Sequence, residues 1–196
     1  MLDPISINLI NCHLLFLVLS DTPIQTSIDG KLVNCPIYTA WSGMLKRCYS
    51  KTYQDHRPTY AGCSVAKEWL LFSVFRSWVQ SQDYEGKALD KDLLVEGNKV
   101  YSPETCCFID KALNNFLLSN LKTRGEYLLG VTKHGNKFKA QCSNPLTKSR
   151  GYLGLFSSEI EAHAAYMKEK RKIAEQLAAM QTDKRIAEAI LRRFQC

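Results

Sequence analysis

Two carboxylates one residue apart, Asp90 and Asp92, bracket Lys91 in the stretch ALDKDLLVEGNKVYSPETCCFID, residues 88–110. Residues i and i+2 of a strand share a face, so both carboxylates are expected on one side, where their oxygens suit a hard divalent cation, Mg2+ or Mn2+. Such an ion polarises a phosphodiester and stabilises the leaving oxygen while a base activates water. Asn114 or Asn115, in the following KALNNFLLSNL, is placed to add a polar group. Lys91 stands where the base is expected, and an ammonium is no base near neutral pH unless its pKa is greatly depressed. His56, in an earlier loop, is then the candidate base, alongside water activated by the ion itself; the structural alternative for His56 is a polar turn residue. Acid pairs also occur on solvated turns with no chemistry attached.

A second group of residues points to a polyanion. Lys133, Lys137, Lys139, Gln141, Lys148, Arg150 and Tyr152 cluster in short β-prone runs and the turns between them. A small antiparallel sheet fits the DNA major groove, with Lys and Arg on phosphates and guanine edges. The alternative is a solvated basic face. Cys48, Cys63, Cys106 and Cys107 would make a structural zinc site if they converged, but the knuckles that hold zinc carry CxxC pairs and this chain has none. Buried free thiols are expected instead.

The elements that must position these residues follow from periodicity. In CPIYTAWSGMLKRCYS, Ile37, Tyr38, Trp41, Met44, Leu45 and Cys48 recur at spacings of three and four, an amphipathic helix with Pro36 in its first turn. In VAKEWLLFSVFRSWVQS, Val65, Trp69, Phe72, Phe75 and Val79 mark a second helix. Residues 88–110 read as strand, loop, strand, with Gly97 and Asn98 in the turn, and the helix after them completes a ββα unit. Leu128–Thr132, Phe138–Cys142 and Tyr152–Phe156 are β-prone runs separated by turn-rich KHGNK and SNPLTKSRG. Ser158 with Glu161 is a capping-box pattern for a long helix, in which Ile160, Ala164, Met167 and Ala174 are expected to be buried and His163 to be a core or boundary histidine. Thr182 is the expected cap of a terminal helix, DKRIAEAILRRF, which places Arg192 and Arg193 near its C-terminal end. The fold class is therefore α+β: a central ββα module packed with helices over residues 35–122, then a three-stranded antiparallel sheet plus helices over 123–196, after an N-terminal extension and loop or hairpin over 1–34.

The chain of 196 residues has 45% hydrophobic and 23% charged residues, globular values, and its net charge of +7 tilts the partner toward a polyanion, double-stranded DNA in the sheet reading above, against a soluble basic enzyme with no such partner. Its opening MLDPISINLINCHLLFLVLS starts with an acid and no Lys or Arg, and its apolar run is too short to span a membrane. A reducing cytoplasm and no membrane partner are expected.

The stretches CPIYTAWSGMLKRCYS, YAGCSVAKEWLLFSVF and LDKDLLVEGNKVYSPETCCFI resemble a group of tailed-phage proteins related to HNH, or His-Me finger, endonucleases. In that resemblance Asp90 matches the acidic ligand and Asn114 the helix asparagine, while the usual DH is DK at Asp90 and Lys91 and the usual NL is TC at Thr105 and Cys106. The stretch GVTKHGNKFKAQCSNPLTKSRGYLGLFSSEIEAHAAYMKEKRKIA is similar to the AP2-type DNA-binding fold, a three-stranded sheet in the major groove braced by a helix. Together they imply a metal-dependent, homing-type DNA endonuclease in the cytoplasm of an infected bacterium. Two other readings stand beside it. One is a non-catalytic DNA binder on a degenerate HNH scaffold; the other is a phage inhibitor of a host defence protein, acting through an aromatic surface around Trp41, Trp69 and Trp78.

Overall fold

The computed structural model describes residues 21, 25–28, 31–118 and 126–194. The expectation for residues 1–20 lies outside them. The chain divides into two compact units, the first ending at Ile109 and the second beginning at Asp110. The helix of the expected ββα module therefore belongs with the C-terminal unit.

In the first unit, β1 (Gln25–Ile28) and β2 (Lys31–Asn34) form an antiparallel hairpin. Helix α1 (Pro36–Tyr49) follows with Pro36 at its start, and buries Ile37, Trp41, Met44, Leu45 and Cys48, the face set by the three-and-four spacing. A short α2 (Lys51–His56) is capped by Ser50, whose hydroxyl accepts from the Tyr53 N–H.

The expected second helix is only half helix. Val65 lies in β3 (Ser64–Val65), parallel to β5 (Val100–Tyr101), Trp69 lies in a 3-10 turn (Lys67–Leu70), and α3 begins at Phe72 and runs to Gln80. All five apolar markers are buried. Their burial was legible in the sequence, but the Ala66 N–H donates to the Tyr101 carbonyl at 2.8 Å, across the sheet instead of along a helix. The core of this unit is aromatic: Trp41, Trp69, Phe72 and Phe75 are completely buried, and the Trp41 Nε1–H donates to the Trp69 carbonyl at 2.7 Å. This overturns the aromatic protein-binding surface, because Trp41 and Trp69 expose nothing and Trp78 packs against the core they form.

Strand β4 (Ala88–Asp90) pairs antiparallel with β6 (Cys107–Ile109), placing Asp90 opposite Cys107. The strand that follows β4 in the chain, β5, pairs elsewhere, with β3.

The second unit opens with α4 (Lys111–Leu117) and continues into a three-stranded antiparallel sheet of β7 (Val131–His134), β8 (Lys137–Asn144) and β9 (Ser149–Phe156), in that spatial order. A two-residue turn joins β7 to β8; Gly135 takes φ +58° there, a conformation that favours glycine. Helix α5 (Glu159–Ala179) begins with the expected capping box of Ser158 and Glu161 and braces the sheet through Ala162, against Val131 and Ala140. Its buried residues are Ala162, Ile173, Ala174, Leu177 and Ala178, whereas Ile160 is 76% exposed and Ala164 is also exposed. The expected stripe thus holds only at Ala174. The last turns of α5 pack with α6 (Lys184–Arg192), which is capped by Asp183 and not by the expected Thr182: the Asp183 carboxylate accepts from the Arg185 N–H at 2.9 Å. His163 is half-buried, with Nδ1 2.9 Å from the Leu129 carbonyl and its ring stacked on Tyr166. It is the boundary histidine the spacing implied. Among the described residues, no helix is long and apolar enough to cross a membrane.

Candidate nucleic-acid interface

The acid pair comes first because its geometry differs from the strand reading. Strand β4 ends at Asp90, and Asp90 Oδ1 accepts the backbone N–H groups of Asp92 (3.0 Å) and Leu93 (2.7 Å), turning the chain. Asp92 therefore leaves the strand and does not repeat Asp90's position two residues on. Lys91 is only 7% exposed; its ammonium donates to Asp92 Oδ2 at 3.1 Å and to the Asn98 carbonyl at 2.7 Å. The Asn98 amide returns a bond to the Lys91 carbonyl at 2.6 Å. Burial, and then the neighbouring Asp92 charge, push the Asp90 carboxyl above the ordinary carboxylate range.

The hydrogen bonds of the pair are those of a closed turn. One oxygen of Asp90 is committed to the turn, one of Asp92 to an ammonium already in place, and among the described residues no three His, Cys, Asp or Glu side chains converge as a metal site. His56 sits exposed at the end of α2, with Nδ1 2.8 Å from the Thr52 carbonyl, the bond of a helix-terminal residue. Asn114 is half-buried on α4, in the other compact unit from Asp90 and Asp92. Cys48, Cys63, Cys106 and Cys107 are buried and outside any disulfide. Burial pushes the Cys48 and Cys106 thiols up to about 12, so they are protonated at neutral pH.

The sheet of the second unit has a different character. Between Tyr127 and Ser158 the sequence contains no Asp or Glu, and five cations: Lys133, Lys137, Lys139, Lys148 and Arg150. Strand register sorts them by face. On β8, Phe138, Ala140 and Cys142 turn toward α5 and are half-buried or buried, so the alternate residues Lys137, Lys139, Gln141 and Ser143 turn outward. Pairing carries that outer face onto the neighbouring strands: Lys139 lies opposite Thr132, Lys137 opposite His134, Gln141 opposite Tyr152, and Ser143 opposite Arg150.

A β-bulge keeps the third strand in phase. Ala140 pairs with Gly154 and Gln141 with Tyr152, so Leu153 is an extra residue between them. Without it, Tyr152 and Arg150 would face α5. With it, both point to solvent; Tyr152 is 60% exposed.

Of the seven expected interface residues, five lie on this face: Lys137, Lys139, Gln141, Arg150 and Tyr152. Lys148 occupies the β8–β9 turn at φ +53°, the one non-glycine with positive φ among the described residues. Lys133 does not join them. It pairs with Phe138 on the helix side, and its ammonium lies 4.0 Å from the centre of the Phe138 ring. Thr132, His134 and Ser143 also lie on the outer face, and a search for charge and motifs passed over them. Counting alternate residues outward from the two-residue turn at Gly135 and Asn136 finds them.

Known proteins give a partial counterpart. A stretch of 76 residues, 39% of this chain, is 33% identical to the ethylene-responsive transcription factor ERF117 of Arabidopsis thaliana. The chain spans 23% of that relative's length. No protein-family profile matches the chain, and no solved structure does.

Proposed function

We propose that the chain binds double-stranded DNA through the outer face of the β7–β8–β9 sheet, and that the turn around Lys91 is structural. The observation that carries this reading is the register. It gathers Lys137, Lys139, Gln141, Arg150 and Tyr152 on one exposed face with no carboxylate among the strands, and sets α5 behind it as a brace. A sheet of this width enters a major groove; lysine and arginine reach phosphates, and glutamine and arginine present bidentate donors and acceptors to adenine and guanine edges. The partial likeness to a protein named a transcription factor supports the same reading. The AP2-like arrangement of sheet and brace is its structural content.

The first unit is a scaffold in this account. Lys91 holds the turn closed through Asp92 and Asn98. Two measurements on the full chain test the proposal. Duplex binding is expected, falling steeply with salt through counterion release. Supercoiled plasmid is expected to remain intact with Mg2+ or Mn2+. Binding absent at low salt refutes the interface. Metal-dependent nicking abolished by Asp90→Ala refutes the structural role of the turn.

A further inference from the structure

Beside the outer face lies a groove of about 740 Å³, bounded by α4, the segment before β7, the open end of β8 and α5. Strand β7 covers β8 only as far as Ala140, with one further bond from the Gln141 N–H to the Gly130 carbonyl at 2.9 Å. Among the described residues, no strand pairs with the end of β8 on that side. Three cations line the groove, Lys148, Arg150 and Lys170, and none of the described lining residues is acidic. Lys170 is the most telling of them. Its ammonium is half-buried and lies 3.6 Å from the centre of the Phe116 ring, donating to the Phe116 carbonyl at 2.6 Å. One of its three N–H donors is used there, and among the described residues no carboxylate pairs with it. Burial depresses its pKa, as expected for an amine drawn from water without a counter-charge.

The rest of the lining is equally specific in type. Leu118 and Leu128 are 53% and 39% exposed, giving apolar surface, and Tyr127 adds an aromatic ring. Asn115 and Gln141 offer amides able to donate and accept side by side. Three cations, exposed apolar surface with an aromatic ring, and two amides match the parts of a nucleotide: phosphate, ring face and Watson–Crick edge. That edge is free only when the base is unpaired, and the volume suits one nucleotide-sized ligand and not a double helix. Gln141 and Arg150 belong both to the groove and to the outer face of the sheet, so a nucleotide leaving a duplex bound there would not have far to travel.

We infer that this groove binds an unpaired nucleotide, extrahelical in a duplex or within a single strand, with its base against the apolar wall and its phosphate toward Lys170, Lys148 and Arg150. The inference rests on the DNA-binding reading only for the extrahelical case. The test uses the full chain with three labelled probes: a perfect duplex, the same duplex with one extrahelical thymidine, and a single-stranded oligothymidylate. Stacking of one base and its phosphate contacts should make the extrahelical probe bind about five- to a hundredfold tighter than the perfect duplex. Asn115→Trp fills the groove from an exposed helical position, and Lys170→Met keeps the buried stem without its charge; each should abolish that preference and leave perfect-duplex binding unchanged. Equal binding of the two duplexes overturns the inference while leaving the sheet interface standing. An extrahelical preference that survives both substitutions overturns it as well. Binding of oligothymidylate that both substitutions abolish, with no binding of perfect duplex, supports the groove and refutes the sheet interface.

Discussion

Lys133 and Lys139 are six residues apart in one basic stretch, yet the sheet turns them to opposite faces, and this yields the sharpest test of the interface. Four cations are available to phosphates from the outer face and its turn: Lys137, Lys139, Lys148 and Arg150. If all four neutralise phosphates, log K should fall against log salt with a slope of about −3.6, a loss of roughly 150-fold between 50 and 200 mM salt. Lys139→Ala with Arg150→Ala leaves two, a slope of about −1.8 and a loss of roughly 12-fold over the same range. Lys133→Ala should leave the slope unchanged, because its ammonium lies over the Phe138 ring on the helix side. Its cost should appear in stability instead, about 0.5–1 kcal/mol for an exposed cation–π contact. Fluorescence anisotropy across a salt series gives the slopes, and thermal melts confirm that the variants fold. A slope that flattens as much for Lys133→Ala as for Lys139→Ala would refute the register argument.

Three further outcomes follow from buried groups. Asp90 has a raised pKa, so the folded state holds its proton more tightly than the unfolded chain; the stability this contributes is full below the ordinary value of 3.8 and is lost as pH rises through the folded value. Asp90→Asn keeps an oxygen to accept the Asp92 and Leu93 N–H groups, so in urea melts its stability relative to the parent should rise from pH 4 to pH 7; a falling difference contradicts the assignment. Lys91→Met keeps the buried stem but removes the donor to the Asn98 carbonyl and to Asp92 Oδ2, and should cost about 1–3 kcal/mol in the same melts. Gly130→Ala places a Cβ 2.0 Å from the Tyr166 ring at a backbone φ of +78°, so crowding and strain should together cost at least about 2 kcal/mol, read as a lower melting temperature.

What the sequence settled by itself was local. Spacing of three and four named the buried face of α1; Ser158 and Glu161 marked the start of α5; turn residues delimited three strands, of which β8 and β9 contain the β-prone runs expected and β7 starts three residues later than its run. Each is decided within a few residues, by capping, turn chemistry or side-chain period. Even the burial of Val65 and Trp69 was legible, though their helix was not, because burial follows residue type while backbone conformation there follows a partner strand. The phase of α5 was not legible: alanines at 162, 164 and 165 point in different directions with equal hydrophobicity, and the sheet they meet decides which is buried.

Tertiary structure alone decided the rest. Asp90 pairs across to Cys107 and not into the next strand, so β4 ends there and Asp92 leaves the strand; the partner is distant in the chain, although the turn itself is closed locally by the Asp90 carboxylate. The same holds for the basic cluster. Charge gave its sign, but a single extra residue at Leu153, visible only once β8 and β9 are paired, turns Arg150 and Tyr152 outward. Face is a property of pairing, and pairing is made between segments that the sequence keeps apart.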